Sequence, residues 1–358
     1  MAARTVLVVG LGTMGMSHAL AYARIEGFEV AGLCERRIAE RRLPPALARA
    51  RRFSAFAEAL DALAPDVVSI NTWSDTHADY AIRAMEAGAH VFVEKPLADN
   101  VADAERVVET ARRTGRKLVV GYILRHHPSW MRFIEIARTV GTPLVFRMNL
   151  NQQSSGPAWE AHKRLLQFLS PIVDCGVHYV DVMCQITPAK PVRVHAVGAR
   201  LTEDMPEGMY NYGHLHVTFD DGSVGWYEAG WGPMMSETAY FVKDVIGPRG
   251  SVSIVMAETA DSSLKSSDVN AHTKTNQILV HHAALAPDGS LAEADERIDT
   301  VDEPDHDALC EREQRYLLRA IDEDLDLSDH MNDAVKSLRI VLAADHAVRT
   351  GEVVRIER

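Results

Sequence analysis

Lys95 is the residue of this chain whose position most clearly suggests chemistry. It follows the short apolar run Val91–Val93 and directly precedes Pro96, which restricts the backbone of the residue before it. A protonated lysine beside a substrate hydroxyl stabilises the negative charge that develops on the oxygen and holds the reacting carbon in place. We therefore interpret Lys95 as a candidate catalytic residue; the alternative is a solvated lysine at a strand end.

A second candidate lies later in the chain, where Asp174 and His178 stand four residues apart. On a helix, side chains at this spacing share one face, with Cβ atoms about 5–6 Å apart. An imidazole can take the proton of a hydroxyl while a carboxylate orients the ring and raises its basicity. Asp181 continues the same stripe. Such pairs are often surface contacts, but the apolar residues around this pair predict a helix that packs against a core.

A glycine-rich turn near the N-terminus predicts a dinucleotide site. Gly10, Gly12 and Gly15 have the spacing GxGxxG between an apolar strand and a helix. These glycines allow a tight turn, let the backbone approach a pyrophosphate and let the helix pack on the strand, while the helix N-terminus offers N–H groups to phosphates. Thr13 and Met14, inside the turn, are also predicted to contact the cofactor.

The choice between two dinucleotides depends on the end of the second strand. Glu35 lies there, and a carboxylate at this position accepts hydrogen bonds from the adenosine ribose and repels a 2′-phosphate. Arg36 and Arg37 follow at once, and guanidinium groups at this spot could bind such a phosphate. The sequence therefore favours NAD and leaves NADP open, with Glu35 and Arg36 as predicted cofactor contacts.

The bulk composition is that of an ordinary globular protein, with 358 residues, 47% hydrophobic and 25% charged. A net charge of −12 argues against nucleic-acid binding, which requires concentrated Lys and Arg. No apolar run reaches the roughly 20 residues that span a bilayer, and no signal peptide is recognisable, so we expect a cytoplasmic protein without a membrane partner. The four cysteines show no CxxC pair or ligand spacing, so free thiols are expected and no metal site is predicted.

The first third of the chain alternates strand and helix patterns at short spacing. This order predicts parallel βαβ units, and hence a doubly wound Rossmann domain of the α/β class over residues 1–123. Residues 39–56, interrupted by Pro44 and Pro45, stay unplaced. The predicted strands are Thr5–Val9, Glu29–Leu33, Val67–Asn71, Ala89–Val93 and Lys117–Tyr122, and the predicted helices are Met16–Ile25, His77–Ala87 and Ala102–Arg113.

Longer strand patterns follow, and they predict a second α/β domain over residues 124–358 with an open, mostly antiparallel sheet and helices on one side. The other face of such a sheet needs a cover, and self-association is the simplest one. Residues 257–271 are predicted to form a surface loop. The predicted strands are Leu144–Leu150, Val192–Ala199, Gly213–Phe219, Val224–Gly230 and Tyr240–Ile246, and the predicted helices are Pro171–Gln185, Asp307–Asp324 and Asp329–Thr350.

Taken together, these residues resemble one family. The chain is similar, along nearly its whole length, to the glucose–fructose oxidoreductase, inositol 2-dehydrogenase and rhizopine catabolism (Gfo/Idh/MocA) family. Each motif alone is unspecific, whereas the combination is specific. The segments that carry the resemblance are Gly10–Gly15 with His18, Asn71 through His77, Glu94–Pro96, and Asp174 through His178 with Asp181.

The resemblance implies an N-terminal Rossmann domain, a substrate-binding C-terminal α/β domain, and homodimers or homotetramers built through the C-terminal sheet. It implies that Lys95, Asp174 and His178 act on a polyol or sugar, with His178 as proton acceptor. Trp73 departs from the proline common in the family, and Cys34-Glu35 replaces a commoner Asp ending. The implied further cofactor contacts are Asn71, Thr72, Trp73, His77, Glu94 and Lys95, and the implied substrate contacts are Tyr122, Arg125, His126, Trp159 and Lys163.

These expectations predict an NAD-dependent oxidoreductase that interconverts a secondary hydroxyl and a ketone or lactone on an inositol, sugar or sugar derivative. One alternative is an NAD-assisted lyase or glycosidase that oxidises, eliminates and reduces again without net redox change, since it would keep every residue named. Another is a non-catalytic sugar or nucleotide sensor on the same scaffold, which would not need a base such as His178.

Overall fold

A computed structural model of the chain describes residues 3–236, 242–255, 266, 275–300 and 303–356. The chain divides into two compact units. The first contains Met1–His126 and Pro304–Val335, and the second contains His127–Glu303 and Lys336–Arg358. The sequence predicts a single boundary after residue 123, whereas the structure returns Pro304–Val335 to the first unit.

The first unit is built on a six-stranded parallel sheet. Its strands are β1 Arg4–Val9, β2 Phe28–Cys34, β3 Arg51–Phe53, β4 Val67–Ile70, β5 His90–Val93 and β6 Leu118–Val120. They lie in the order β3-β2-β1-β4-β5-β6, which is the doubly wound order of dinucleotide-binding folds. The strand order reverses between β1 and β4, so ligands are expected at the carboxyl ends of these two strands. The predicted α/β class and parallel sheet are confirmed.

Along residues 4–120, which the structure describes in full, the α-helices between these strands are α1 Thr13–Arg24, α2 Phe56–Leu63, α3 His77–Glu86 and α4 Val101–Thr114. The ends of α4 show why it forms there. Asn100 Oδ1 accepts the N–H of Asp103 at 2.9 Å, and Gly115 ends the helix with φ +66°. Strand β3 and helix α2 are not predicted by the sequence pattern, because β3 has only three residues and two of them, Arg51 and Arg52, are exposed.

Helix α9, His306–Asp322, belongs to the first unit because it packs on α1. Asp305 caps its N-terminus by accepting the N–H of Ala308 at 2.8 Å. Buried residues such as Leu309 and Leu317 line one face of this helix, and that apolar face needs a partner. The membership of this segment in the first unit depends on packing between residues distant in the sequence, which local sequence patterns do not predict.

The second unit contains a nine-stranded sheet in the order β14-β13-β12-β11-β7-β10-β9-β8-β15. Every neighbouring pair is antiparallel except β7 with β10. The predicted, mostly antiparallel sheet is therefore confirmed. Tyr240 and Phe241 of the predicted strand 240–246, and all but one residue of the predicted loop 257–271, lie outside the described residues. The strands are β7 Val145–Gln153, β8 Pro191–Ala199, β9 Tyr212–Phe219, β10 Val224–Gly232, β11 Lys243–Gly247, β12 Gly250–Val255, β13 Gln277–His282, β14 Glu296–Asp299 and β15 Val354–Arg355.

One face of this sheet is covered by helices. The helices from this part of the chain are α5 Pro128–Ala137, α6 Gly156–Leu165, α7 Pro171–Asp174 and α8 Gly176–Ile186, and α10 Ser328–Thr350 precedes β15. Helix α8 lies close to β10, because a Cβ on Gly176 would come within 2.9 Å of the Tyr227 ring. Tyr179 and Tyr227 stack with ring centroids 5.2 Å apart. This packing fixes the helix that carries His178.

The other face of the sheet exposes apolar side chains. Val145, Val197, Val224 and Ile246 are between 37% and 42% exposed. Self-association through this face remains a prediction. Among the helices that the structure describes, none is both long enough and apolar enough to cross a membrane.

Candidate active site

The glycine-rich turn has the shape that a bound pyrophosphate requires. Gly10 has φ +80°, and a Cβ on Gly15 would collide with the carbonyl oxygen of Gly10. Gly12, the N-cap of α1, is different, because nothing lies within 4 Å of the position its Cβ would take. The protein's own backbone thus requires glycine at 10 and 15, while the space at Gly12 is left open beside the helix N-terminus. This cradle fits a dinucleotide.

Glu35 is held beside this turn. Its Oε2 accepts the backbone N–H of Leu11 at 3.1 Å, which orients the carboxylate at the end of β2. The neighbouring Arg36 is exposed, and Arg37 Nη1 lies 3.9 Å from Glu40 Oε2. A carboxylate fixed at this position fits the ribose of NAD.

Asn71 is directed toward the protein. Its Nδ2 donates to the carbonyl oxygen and to the hydroxyl of Ser69, each at 3.1 Å, and its backbone N–H donates to Val9 O at 2.7 Å. These bonds join the ends of β1 and β4. A Cβ on Gly10 would also come 2.5 Å from Asn71 O, so Asn71 shapes the floor of the cradle.

His77 connects two loops of the predicted cofactor site. Its Nδ1 lies 2.7 Å from Pro96 O, and its Nε2 lies 3.1 Å from Thr72 O. Burial lowers the pKa of His77, while the two backbone hydrogen bonds oppose that effect. Trp73, in the same loop as Thr72, is 45% exposed. His77 therefore holds the loop of Trp73 against the turn that follows Lys95.

Glu94 is buried, and its carboxylate bonds within the protein. One oxygen, Oε2, accepts the backbone N–H of Lys95 at 3.1 Å. The other, Oε1, lies 2.9 Å from His18 Nε2. Glu94 thus contributes to the predicted cofactor site by holding the backbone N–H of Lys95. Lys95 itself is half-buried and follows β5.

Three potential metal ligands lie close together, and one of them, His18, contacts Glu94. One ligand atom from each of His18, Cys310 and Glu313 falls within 4.8 Å of the others, and all three residues are buried. Both ring nitrogens of His18 are already hydrogen-bonded, one to Glu94 and one to Gln314 Nε2 at 3.0 Å. His18 therefore presents no uncommitted nitrogen to a cation in this arrangement.

In the second unit, the predicted helix Pro171–Gln185 is two helices, α7 and α8, that meet at Cys175. Cys175 keeps a right-handed helical conformation (φ −88°, ψ −37°), so the chain continues in nearly the same direction. Asp174 and His178 are both half-buried. Asp181 is buried and accepts a hydrogen bond from Gln185 Nε2 at 3.0 Å, so it bonds within its own helix.

A group of residues that the sequence pattern missed is linked to Asp174 through Cys175 and His162. The Cys175 thiol lies 3.6 Å from Asp174 Oδ2 and 3.3 Å from Gln152 Oε1, and that Gln152 oxygen also accepts Trp231 Nε1–H at 2.8 Å. His162 stacks on Trp231 with ring centroids 4.6 Å apart. Burial lowers the pKa of His162 to about 4, although the negative Asp174 opposes this. His162 thus places a neutral imidazole near Asp174; its only sequence signal is its position beside Lys163.

The substrate contacts implied in the first unit have partners within that unit. Arg125 Nη2 lies 2.9 Å from Asp333 Oδ2, and its guanidinium is 5.8 Å from the Tyr122 ring centroid. Tyr122 is fully buried. His126 packs on Tyr316 at 4.9 Å, and burial lowers the pKa of His126 to about 3. Contacts of these residues with a substrate remain predictions.

The implied substrate contacts on α6 form a local cluster. Lys163 Nζ lies 2.8 Å from Asp204 and 2.7 Å from Glu160, and 6.0 Å from the Trp159 ring centroid. The hydrogen bond from Lys163 lowers the pKa of Asp204. A substrate would have to compete with these carboxylates for Lys163.

Two family matches cover most of the chain. Residues 4–122 match the family described as "Oxidoreductase family, NAD-binding Rossmann fold", and residues 136–253 match the "GFO/IDH/MocA C-terminal domain". The chain belongs to the GFO/IDH/MocA oxidoreductase family. The resemblance seen in the motifs is confirmed, and the first unit is an NAD-binding Rossmann domain.

Curated relatives carry dehydrogenase names. Inositol 2-dehydrogenase of Salmonella typhimurium is 28% identical over 184 residues, which are 49% of this chain and 52% of that protein. UDP-N-acetylglucosamine 3-dehydrogenase of Acidithiobacillus ferrooxidans is 30% identical over 205 residues, which are 55% of this chain and 58% of that protein. The chain spans about half the length of the curated relatives it matches.

Solved structures match along nearly the whole chain. UDP-N-acetylglucosamine 3-dehydrogenase from Acidithiobacillus ferrooxidans has a TM-score of 0.75 at 22% identity, covering 98% of this chain and 99% of the other. Scyllo-inositol dehydrogenase from Lactobacillus casei, with bound NAD(H) and scyllo-inositol, has a TM-score of 0.74 at 18% identity, covering 99% of both chains. At these identities the likeness establishes the fold.

Proposed function

We propose that this protein is an NAD-dependent oxidoreductase that interconverts a secondary hydroxyl and a ketone or lactone on an inositol, sugar or sugar derivative. The observation that carries the proposal is the fixed position of Lys95, whose backbone is anchored by Glu94 in a Rossmann unit with an open glycine cradle. Membership in an oxidoreductase family supports the reaction class. The names of the relatives support a polyol or sugar substrate.

In the first unit, the open space at Gly12 and the oriented carboxylate of Glu35 would hold the pyrophosphate and the adenosine ribose of NAD. NAD bound here would supply a nicotinamide ring as the acceptor of a hydride from the carbinol carbon. Lys95 donates a hydrogen bond to the substrate oxygen and stabilises negative charge there as the proton leaves.

In the second unit, His178 accepts the hydroxyl proton, and Asp174 orients its ring and raises its basicity. The packing of α8 against β10 gives His178 a rigid base, because Gly176 brings the helix close to Tyr227. In the reverse direction the same imidazole returns the proton to the oxygen. Lys95 and His178 would thus act on one hydroxyl.

The experiment that tests the proposal is a panel of inositols, aldoses and lactones with NAD and with NADP, followed at the nicotinamide absorption band near 340 nm. We expect at least one polyol or sugar to drive reduction of NAD, with NAD preferred. Conversion of a sugar derivative without net change in added cofactor would favour the lyase or glycosidase alternative. Tight sugar binding with no conversion of any compound would favour the sensor.

A further prediction concerns the cofactor preference. Glu35→Ser removes the carboxylate that would bond the ribose, so we expect the ratio of kcat/KM for NAD to that for NADP to fall about tenfold or more. Glu40→Ser, which removes an exposed carboxylate nearby, is the matched control and should leave the ratio unchanged. Because Glu35 also braces Leu11, the Tm of each variant is measured alongside. An unaltered ratio in a folded Glu35→Ser protein would remove Glu35 from the site.

A further inference from the structure

A buried chain of three side chains leads from helix α9 to Lys95. Gln314 Nε2 lies 3.0 Å from His18 Nδ1, His18 Nε2 lies 2.9 Å from Glu94 Oε1, and Glu94 Oε2 accepts the Lys95 N–H at 3.1 Å. His18 and Gln314 are fully buried and Glu94 is 7% exposed. Buried polar contacts of this kind are well protected from competition by water.

One assignment of donors and acceptors satisfies the hydrogen bonds that link Gln314, His18 and Glu94. An amide NH₂ can only donate, so Gln314 requires a lone pair on His18 Nδ1. The hydrogen of neutral His18 is thereby assigned to Nε2, where it is donated to Glu94. Gln314 thus sets the tautomer that lets His18 bond to the carboxylate.

The surroundings leave the carboxylate little room to move. A Cβ on Gly121 would lie 3.2 Å from Glu94 Oε2 and 3.2 Å from the Phe92 ring, and Phe92 packs on the His18 ring at 4.6 Å between centroids. On the far side of Lys95, His77 Nδ1 bonds to Pro96 O at 2.7 Å. The backbone around Lys95 is therefore held on both sides.

We infer that Gln314, His18 and Glu94 form a positioning relay, through which helix α9 sets the backbone of Lys95 for its role in the reaction. This inference rests on the proposed function for the role of Lys95. In this role the three relay residues act on the reaction through Lys95. A misplacement of about 1 Å in a catalytic group can lower the rate as much as a hundredfold, so a relay of this kind would affect kcat more than KM.

The test measures the Lys95 amide directly, in protein without cofactor. Hydrogen exchange of the Lys95 N–H is followed in the parent, in Gln314→Met, in His18→Ala, and in Leu317→Ala as a control. Leu317 is a fully buried residue of the same helix that has no hydrogen bond to the relay. Gln314→Met keeps the size of the side chain and removes the NH₂ donor. It therefore tests the relay in a folded protein even if His18→Ala does not fold.

After each exchange rate is corrected for the variant's change in global stability, measured by urea unfolding, we expect Lys95 exchange to be about tenfold faster or more in Gln314→Met and His18→Ala, and within about twofold of the parent in the control. We expect kcat to fall about tenfold in Gln314→Met while both KM values stay within about twofold. Unchanged exchange of Lys95 in Gln314→Met, or an equal increase in Leu317→Ala, would overturn the relay. Faster exchange in a protein whose parent converts no alcohol would support the relay and reject the proposed function.

Discussion

Lys95→Ala and His178→Asn are each expected to lower kcat by at least about a hundredfold. Removal of Lys95 takes away the cation that stabilises the oxygen as it loses its proton, and removal of His178 takes away the base. The polar groups around both residues would remain, so the protein should still fold and bind NAD. The measurement is steady-state turnover with the alcohol that the substrate panel identifies.

Matched controls separate loss of chemistry from general damage. Lys190→Ala and His346→Asn change the same residue types at exposed positions and should leave kcat unchanged. In the Lys95→Ala/His178→Asn double variant, we expect a loss smaller than the product of the two single losses, because groups that act on one oxygen are not independent. Near-parental rates in both single variants would reject the mechanism while leaving the fold intact.

Lys243→Met is expected to make the stability of the protein less dependent on pH. Lys243 is 1% exposed on β11, its Nζ donates to the carbonyl oxygen of Asn149, and it lies 4.6 Å from the Tyr179 ring centroid. Burial lowers the pKa of Lys243 to about 7, because the ammonium loses its hydration. In the unfolded chain a lysine has a pKa near 10.4.

The direction of this pH dependence follows from the number of protons that the folded and unfolded states bind. Between about pH 7 and pH 10 the unfolded chain binds a proton at Lys243 that the folded protein lacks, so this residue makes the free energy of unfolding rise with pH. Below about pH 7 both states are protonated and the dependence disappears. Methionine fills a similar volume without a charge, so the variant is expected to be the more stable protein at pH 7.

Urea unfolding at pH 7 and at pH 9.5 provides the measurement. The advantage of Lys243→Met over the parent should shrink by about 3 kcal/mol between the two pH values. Lys190→Met, at an exposed lysine, should show no such change. An advantage that stays constant with pH would show that Lys243 keeps its proton throughout this range.

The Rossmann unit was predictable because its information is local. The apolar run before Gly10, the cap at Asn100 and the stop at Gly115 each act through their own backbone. Helix α2 and strand β3 escaped prediction because they are short and gain their order from packing. Local patterns also did not predict that α9 belongs to the first unit. Its place there depends on contacts between α1 and residues almost three hundred positions later in the chain.

The sequence names candidate site residues, but it does not predict their hydrogen-bond partners. The side chain of Asn71 bonds to Ser69, and the side chain of Glu94 bonds to His18. Arg125 and Lys163 already have carboxylate partners. A motif fixes which residue stands at a position, whereas hydrogen-bond partners depend on neighbours that are distant in the sequence. His162 was missed for this reason.

The most direct test of the central claim is a crystal structure of the protein with NAD and the alcohol it oxidises. We expect Lys95 Nζ and an imidazole nitrogen of His178 both within about 3.2 Å of the reacting oxygen, with the carbinol carbon facing the nicotinamide ring. A productive complex in which either group is beyond hydrogen-bonding distance of that oxygen, with no bridging water, would contradict the account.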